Sequence, residues 1–234
     1  MAFSRRLQVR RGGVNFGNLR PLPRTLAWAT EEDPIQMTLI NTRSLSNKTF
    51  LLHDFFSSHE LDFMFLMETW LQAGELIPFS ELLPPNCMFF SSPRTTGKGG
   101  VAASVFKSTF PCQQLVTDTF SSFELQLFEI NLPLPVFCAV VYRPPKLNKD
   151  FIQDFADFLA GTFLKCDWLF VVSDFHVHVC CETQPLVKEF LDLIDSFNLT
   201  QSVSGPAHEQ GHTLDLVLSQ GLCVEISEIW NMYF

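Results

Sequence analysis

Four residues able to do chemistry sit where apolar runs end. Ile35–Ile40 stops at Asn41, Leu61–Met67 at Glu68, Val136–Val141 at Tyr142, and Trp168–Val172 runs into Asp174. Polar groups at strand ends that share one sheet edge converge into a cleft. Two carboxylates, an amide and a phenol make a hard, oxygen-rich set, which suits Mg²⁺ far better than zinc or copper. Such a cation beside a phosphodiester neutralises charge developing on the phosphate oxygens while a second carboxylate activates water. The same pattern also fits carboxylates that face solvent at strand ends, with Asn41 and Tyr142 as structural hydrogen-bonders.

Other residues offer competing chemistry. Asp174, His176 and His178 alternate, so an extended strand would put them on one face as a transition-metal set, whereas a loop would break the alternation. Lys98, among Gly97, Gly99 and Gly100, could meet phosphate, but the spacing is not that of a P-loop. Adjacent Cys180 and Cys181 read as core or loop thiols.

The elements that must hold these residues follow from periodicity. Ser46 or Asn47 can cap a helix with Leu51, Leu52, Phe55 and Phe56 on one face. Pro78, Pro84 and Pro85 mark loops, and the glycines at 97, 99 and 100 mark a turn into a strand at Val101–Phe106. Phe123–Ile130 alternates as a half-solvated strand does. Phe151, Ile152, Phe155, Phe158, Leu159 and Phe163 recur at helical spacing, as do Leu186, Val187, Phe190, Leu191 and Ile194. Leu214–Leu218 is a late strand carrying Asp215. The class is α/β, a mixed sheet or a pair of sheets with helices outside.

The 234 residues are 47% hydrophobic and 18% charged, enough for one large domain with a sizeable core. Its 25 phenylalanines against 2 tyrosines belong in that core, since Phe brings area without a polar handle. Residues 1–33 hold six arginines without periodicity and read as a disordered basic tail, with a mitochondrial transit peptide as the alternative. The domain proper is expected over residues 34–234. No apolar run reaches the roughly 18–20 residues that span a bilayer, so no membrane crossing is expected. Seven cysteines without a Cys-x-x-Cys pair point to a reducing compartment, nuclear or cytoplasmic. The net formal charge is −9, and the chain beyond the Arg-rich tail is more acidic still. That is a poor footprint for gripping nucleic acid unaided. Oligomeric state is not fixed by any of these features.

Five segments carry a resemblance: Asn41-Thr-Arg-Ser-Leu, Met67-Glu-Thr-Trp-Leu, Val141-Tyr-Arg-Pro-Pro, Ser173-Asp-Phe-His and Gly211-His-Thr-Leu-Asp-Leu-Val. In that order, over about residues 36–230, the chain resembles the endonuclease/exonuclease/phosphatase (DNase I-like) superfamily. The likeness is greatest to the endonuclease domain of non-LTR retrotransposons. It implies a four-layer α/β/β/α sandwich, Mg²⁺-dependent nicking of DNA, and DNA as a weakly held partner. By the same resemblance Glu68 holds the metal with support from Asn41. Tyr142 contacts the scissile phosphate, Asp174 positions and activates water, and Asp215 orients a histidine. Arg143 is a candidate for phosphate or for a local acid.

Two departures bear on activity. The family pattern Asp-x-Asn is here Asp174-Phe175-His176, and the bulkier ring is expected to displace the water or phosphate that an amide would hold. The family also ends on a Ser-Asp-His strand after a segment like Val224-Glu-Ile-Ser-Glu-Ile, whereas here Trp230-Asn-Met-Tyr-Phe234 follows. The expectation is a C-terminally truncated domain, impaired or inactive for want of its catalytic histidine, which neither His208 nor His212 replaces. The alternative is a non-catalytic interaction module that keeps the sandwich.

Overall fold

The computed structural model describes residues 2–6, 34–72, 74–75, 77–92, 102–145, 149–179, 181, 183–203 and 215–228. The elements in chain order are β1 (Ala2–Arg6), β2 (Gln36–Asn41), α1 (Thr49–Ser58), β3 (Phe63–Met67), α2 (Ile77–Leu82) and β4 (Cys87–Ser91). They continue with β5 (Ala103–Lys107), β6 (Cys112–Gln114), β7 (Glu124–Ile130), β8 (Val136–Tyr142), α3 (Phe151–Phe163) and β9 (Leu169–Asp174). The last are α4 (Pro185–Ser196), β10 (Thr200–Gln201), β11 (Asp215–Gln220) and β12 (Cys223–Glu228).

Strands buried on both faces need two apolar parities, and these strands have them. In β2 and β3, Met37, Leu39, Phe63, Phe65 and Met67 belong to one core cluster. Their alternates Ile40, Met64 and Leu66 belong to another, with Leu52 and Phe56 of α1 and Phe79 of α2. In β8 and β9, Cys138, Val140, Tyr142, Phe170 and Val172 join the first cluster. Their alternates pack with Phe155 and Phe158 of α3 and Phe190 of α4. The first cluster therefore lies between two six-stranded sheets, ordered β12-β1-β2-β3-β5-β4 and β10-β11-β9-β8-β7-β6, with α1 and α2 outside one and α3 and α4 outside the other. This is the α/β/β/α sandwich that the resemblance implies.

Phenylalanine fills the centre as its abundance suggests. Phe63, Phe65, Phe106 and Phe128 meet between the sheets at ring separations of 5.9–6.4 Å. No disulfide joins the described cysteines, and Cys138 is fully buried as a core thiol. Among the described residues, no helix is long and apolar enough to cross a membrane.

Several expectations need correction. Ala2–Arg6 is a strand between β12 and β2, not part of a tail, and residues 7–33 lie outside the described residues. Five residues without an apolar alternation give no local signal, and what defines this strand is pairing with partners far along the chain. Helix α1 begins one or two residues later than a cap at Asn47 or Ser46 would start it: Lys48 is its N-cap and no side chain caps it, while Asn47 takes a left-handed φ of 62°. Of its expected apolar face, Leu51 is exposed. Pro78 stands in the first turn of α2, where its missing N–H costs nothing. The turn with Lys98, Cys180, His208 and His212 all lie outside the described residues.

Candidate active site

Strand direction brings the polar residues to one end. β2 and β3 run parallel with Asn41 opposite Met67, so Glu68 follows immediately beyond. β8 and β9 run parallel with Tyr142 opposite Asp174, and antiparallel β11 places Asp215 opposite Asp174. Parity then aims them. Asn41 continues the inward set of Met37 and Leu39, Tyr142 that of Cys138 and Val140, Asp174 that of Phe170 and Val172, and Asp215 matches Val217. All four point to the mouth of the apolar layer between the sheets.

Glu68 has the opposite parity and reaches the same place by strain. Its φ is 50°, in the left-handed region that a glutamate rarely occupies. The loop after β2 enforces this by stitching itself to the loop after β3. Thr42 donates from N to Met67 O (2.9 Å) and from Oγ1 to Met67 O (2.8 Å) and Glu68 O (3.1 Å). The backbone N–H of Ser44 donates to Glu68 O at 2.8 Å, and that of Leu45 to Thr69 O at 2.9 Å. Strain held by such a network is characteristic of functional sites.

Asn41 is the clamp between the sheets. Its Oδ1 accepts from Arg43 N at 3.2 Å, which turns Nδ2 toward the carboxylates. Nδ2 donates to Glu68 Oε1 and to Asp174 Oδ2, both at 3.1 Å. Its oxygen is thus engaged with backbone, and its amide nitrogen holds the two carboxylates together. The hydroxyl of Tyr142 lies 3.5 Å from Glu68 Oε1.

The segment after β9 is a loop, so the alternation of Asp174, His176 and His178 does not build one metal-binding face. Phe175 dives into the helix layer, fully buried against Phe151, Phe155 and Phe190 at ring separations of 5.1–5.8 Å. His176 turns back with φ 48°. Its Nδ1 lies 2.9 Å from both Arg143 O and Asp174 Oδ1. One ring proton cannot serve both well, and the carbonyl has the hydrogen-bond geometry. Asp174 Oδ1 is buried and has no donor besides its share of this one. Burial pulls the imidazole pKa down, but hydrogen bonding and charge from Asp174, the Arg143 carbonyl and the charge of Glu68 outweigh it, and the net direction is up.

Arg143 lies on the helix side of its sheet, away from the mouth between the sheets. Its parity matches Val141 and points to the helix side. There it is 2% exposed, lies 4.8 Å over the Phe151 ring, and donates from one terminal nitrogen to Phe175 O (3.1 Å) and His176 O (3.4 Å). It fixes the loop that carries His176. Asp215 is half-buried. Burial, then the neighbouring charge of Asp174, pushes its carboxyl pKa up to about 8, and His176 opposes that rise. Of the described histidines, His176 is the one that acts on Asp215 here.

One donor atom from each of Glu68, Asp174 and His176 lies within 4.8 Å of the others, a group able to hold a metal ion. A buried carboxylate oxygen with only a shared donor, beside two further ligand atoms, suits a cation.

Solved structures with this architecture cover most of the chain. The endonuclease domain of TRAS1, a telomere-specific non-LTR retrotransposon, superposes with a TM-score of 0.59 at 9% identity, over 80% of this chain and 85% of that one. The AP endonuclease LMAP from Leishmania major gives 0.59 at 12% identity, over 80% and 79%. The chain shares its fold with an endonuclease/exonuclease/phosphatase family protein from Bacteroides thetaiotaomicron. Another structure, the 3′ phosphatase NExo from Neisseria bound to a product DNA hairpin, gives 0.56 at 12% identity, over 79% and 86%. Neither the sequence models of known families nor the curated proteins match this chain.

Sequence reasoning missed Thr42, Phe175 and the direction of Arg143. Strand parity, counted on from β8, was the available signal for Arg143. Phe175 and the stitching by Thr42 needed the tertiary fold.

Proposed function

We propose that this chain is a Mg²⁺-dependent phosphodiesterase of the DNA-nicking type, with slow turnover. The observation that carries the reading is Asn41 bridging Glu68 and Asp174 across the two sheets, beside a buried Asp174 oxygen that has only a share of the His176 Nδ1 donor. Glu68, with Asp174 beside it, would hold Mg²⁺, which supplies charge neutralisation at the phosphate oxygens. Asn41 keeps the two carboxylates at a fixed separation, so little reorganisation is needed as charge develops. Asp174 Oδ1, which shares the His176 Nδ1 donor with the Arg143 carbonyl, is the acceptor for a proton of the attacking water. Tyr142 stands within reach of Glu68 and of whatever phosphate oxygen Glu68 faces. In the metal-free site burial and the charge of Asp174 let Asp215 keep its proton near neutral pH, and a bound cation would draw it toward the ionised form.

Slow turnover follows from His176, whose ring crowds Asp174 where the resembling pattern has an amide. The acidic surface adds to it, because little positive charge is available to draw DNA in. The same His176–Asp174 contact favours a second reading, a non-catalytic module that keeps the sandwich.

Supercoiled plasmid with Mg²⁺ separates the two. The wild type should convert plasmid slowly to the nicked form, and Glu68→Ala should not. Absence of Mg²⁺-dependent nicking in the wild type, or nicking indifferent to Glu68→Ala, rejects the enzyme reading. Thermal stabilisation by Mg²⁺ without nicking would support the module.

A further inference from the structure

The imidazole at position 176 changes what the metal site is made of. A backbone carbonyl can only accept, so the 2.9 Å contact between His176 Nδ1 and Arg143 O places the ring proton on Nδ1. In the neutral ring the lone pair is then on Nε2. Metal-binding histidines are held in this way, one nitrogen donating to a carbonyl while the other is left for the ion. Arg143 pins that carbonyl's neighbourhood from below, and the Tyr142 ring stands edge-on at 5.9 Å, so the imidazole is held on two sides.

From this geometry we infer that His176 is a metal ligand, and that with Glu68 and Asp174 it makes a mixed nitrogen–oxygen site preferring a borderline transition cation, such as Co²⁺ or Zn²⁺, over Mg²⁺. The inference deepens the metal-site reading above and rests on it. One ligand atom from each of the three residues lies within 4.8 Å of those of the other two. Ligands of one cation at about 2.1 Å stand at most about 4.2 Å apart, so the side chains must draw together around a bound ion, with the ring presenting Nε2. Asp174 Oδ1 is buried, has only a share of the His176 Nδ1 donor and belongs to the same group of ligand atoms. Imidazole suits transition cations, whereas Mg²⁺ demands oxygen, so the histidine raises affinity for the former with little gain for the latter. Drawing Asp174 into the ligand set also occupies the oxygen that would serve as base. The site then holds its ion better than it turns over substrate.

Calorimetric titration with Co²⁺ and, separately, with Mg²⁺ tests this on the full chain, at about pH 8 so that protons compete weakly. Only heat removed by Glu68→Gln is assigned to the site. His176→Asn should weaken Co²⁺ by about tenfold or more while Mg²⁺ stays within about threefold. Equal changes for both ions, or none for Co²⁺, overturn the inference alone, provided Mg²⁺ binding is lost in Glu68→Gln. If Glu68→Gln changes neither titration, the phosphodiesterase reading falls with it. Should His176→Asn fail to fold, the Co²⁺-loaded wild type decides by proton NMR. A bound imidazole with Nδ1–H held on Arg143 O gives a strongly shifted exchangeable resonance that vanishes in D₂O. Bound Co²⁺ without that resonance overturns the inference.

Discussion

Replacing Asp215 by Asn should stabilise the protein near neutral pH and flatten the dependence of its stability on pH. Asp215 stands directly opposite Asp174 in the β9–β11 ladder, and burial and that neighbour push its pKa from the ordinary 3.8 to about 8. Between those values the folded chain holds a proton that the unfolded chain has lost. Stability therefore falls as pH rises through that window and levels off above it. A displacement of about four units at 1.36 kcal/mol each would cost about 6 kcal/mol in full. Asp215 is half-buried, so water screens the repulsion, and about 2 kcal/mol between about pH 5 and pH 8 is the expected size. An amide keeps the shape, carries no charge, and should remove that slope. Urea unfolding followed by circular dichroism, with EDTA present, measures it. Identical slopes in wild type and Asp215→Asn would refute the carboxylate-pair reasoning. Mg²⁺ offers an internal control, since a cation between the carboxylates restores the ionised form and should flatten the wild-type curve.

Three further outcomes follow from other contacts. Phe175→Ala should cost about 3–5 kcal/mol in urea unfolding, because a fully buried ring packed on three others leaves a cavity; a loss below about 1 kcal/mol would mean that the loop is not anchored there. Arg143→Met should leave stability within about 2 kcal/mol but weaken Mg²⁺ about tenfold or more, as loss of a supporting partner does, read by calorimetry. Gly221→Ala should destabilise by about 2–3 kcal/mol, since φ is 70° and a Cβ there would lie 2.3 Å from Trp168 Cδ1; a neutral effect on the melting temperature would show that the turn after β11 adjusts.

The parts of the fold that could be read from sequence are those in which chemistry and local pattern coincide. β2, β3, β8 and β9 are apolar runs ending on polar residues, and a parallel register alone brings such ends together. Asn41, Glu68, Tyr142 and Asp174 therefore meet as their positions suggest. What could not be read was set by distant partners or by backbone strain. The left-handed turn that redirects Glu68 depends on carbonyls being held from the loop after β2. Phe175 looked like a spacer between two polar residues, and it proves to be the anchor that holds them. β1, β4, β6 and β10 are short edge-forming or cross-linking strands with weak alternation, and pairing, not propensity, defines them.

The position of β1 has a consequence for how the first sheet closes. Its five residues lie between β2 and β12, so this seam joins the earliest and the latest of the described strands. Until both are in place the sheet stays open there, with unpaired backbone that a neighbouring chain could claim. A tag fused beside Ala2 loads this long-range seam, and yields of folded protein should suffer more from it than from a tag placed in an exposed loop.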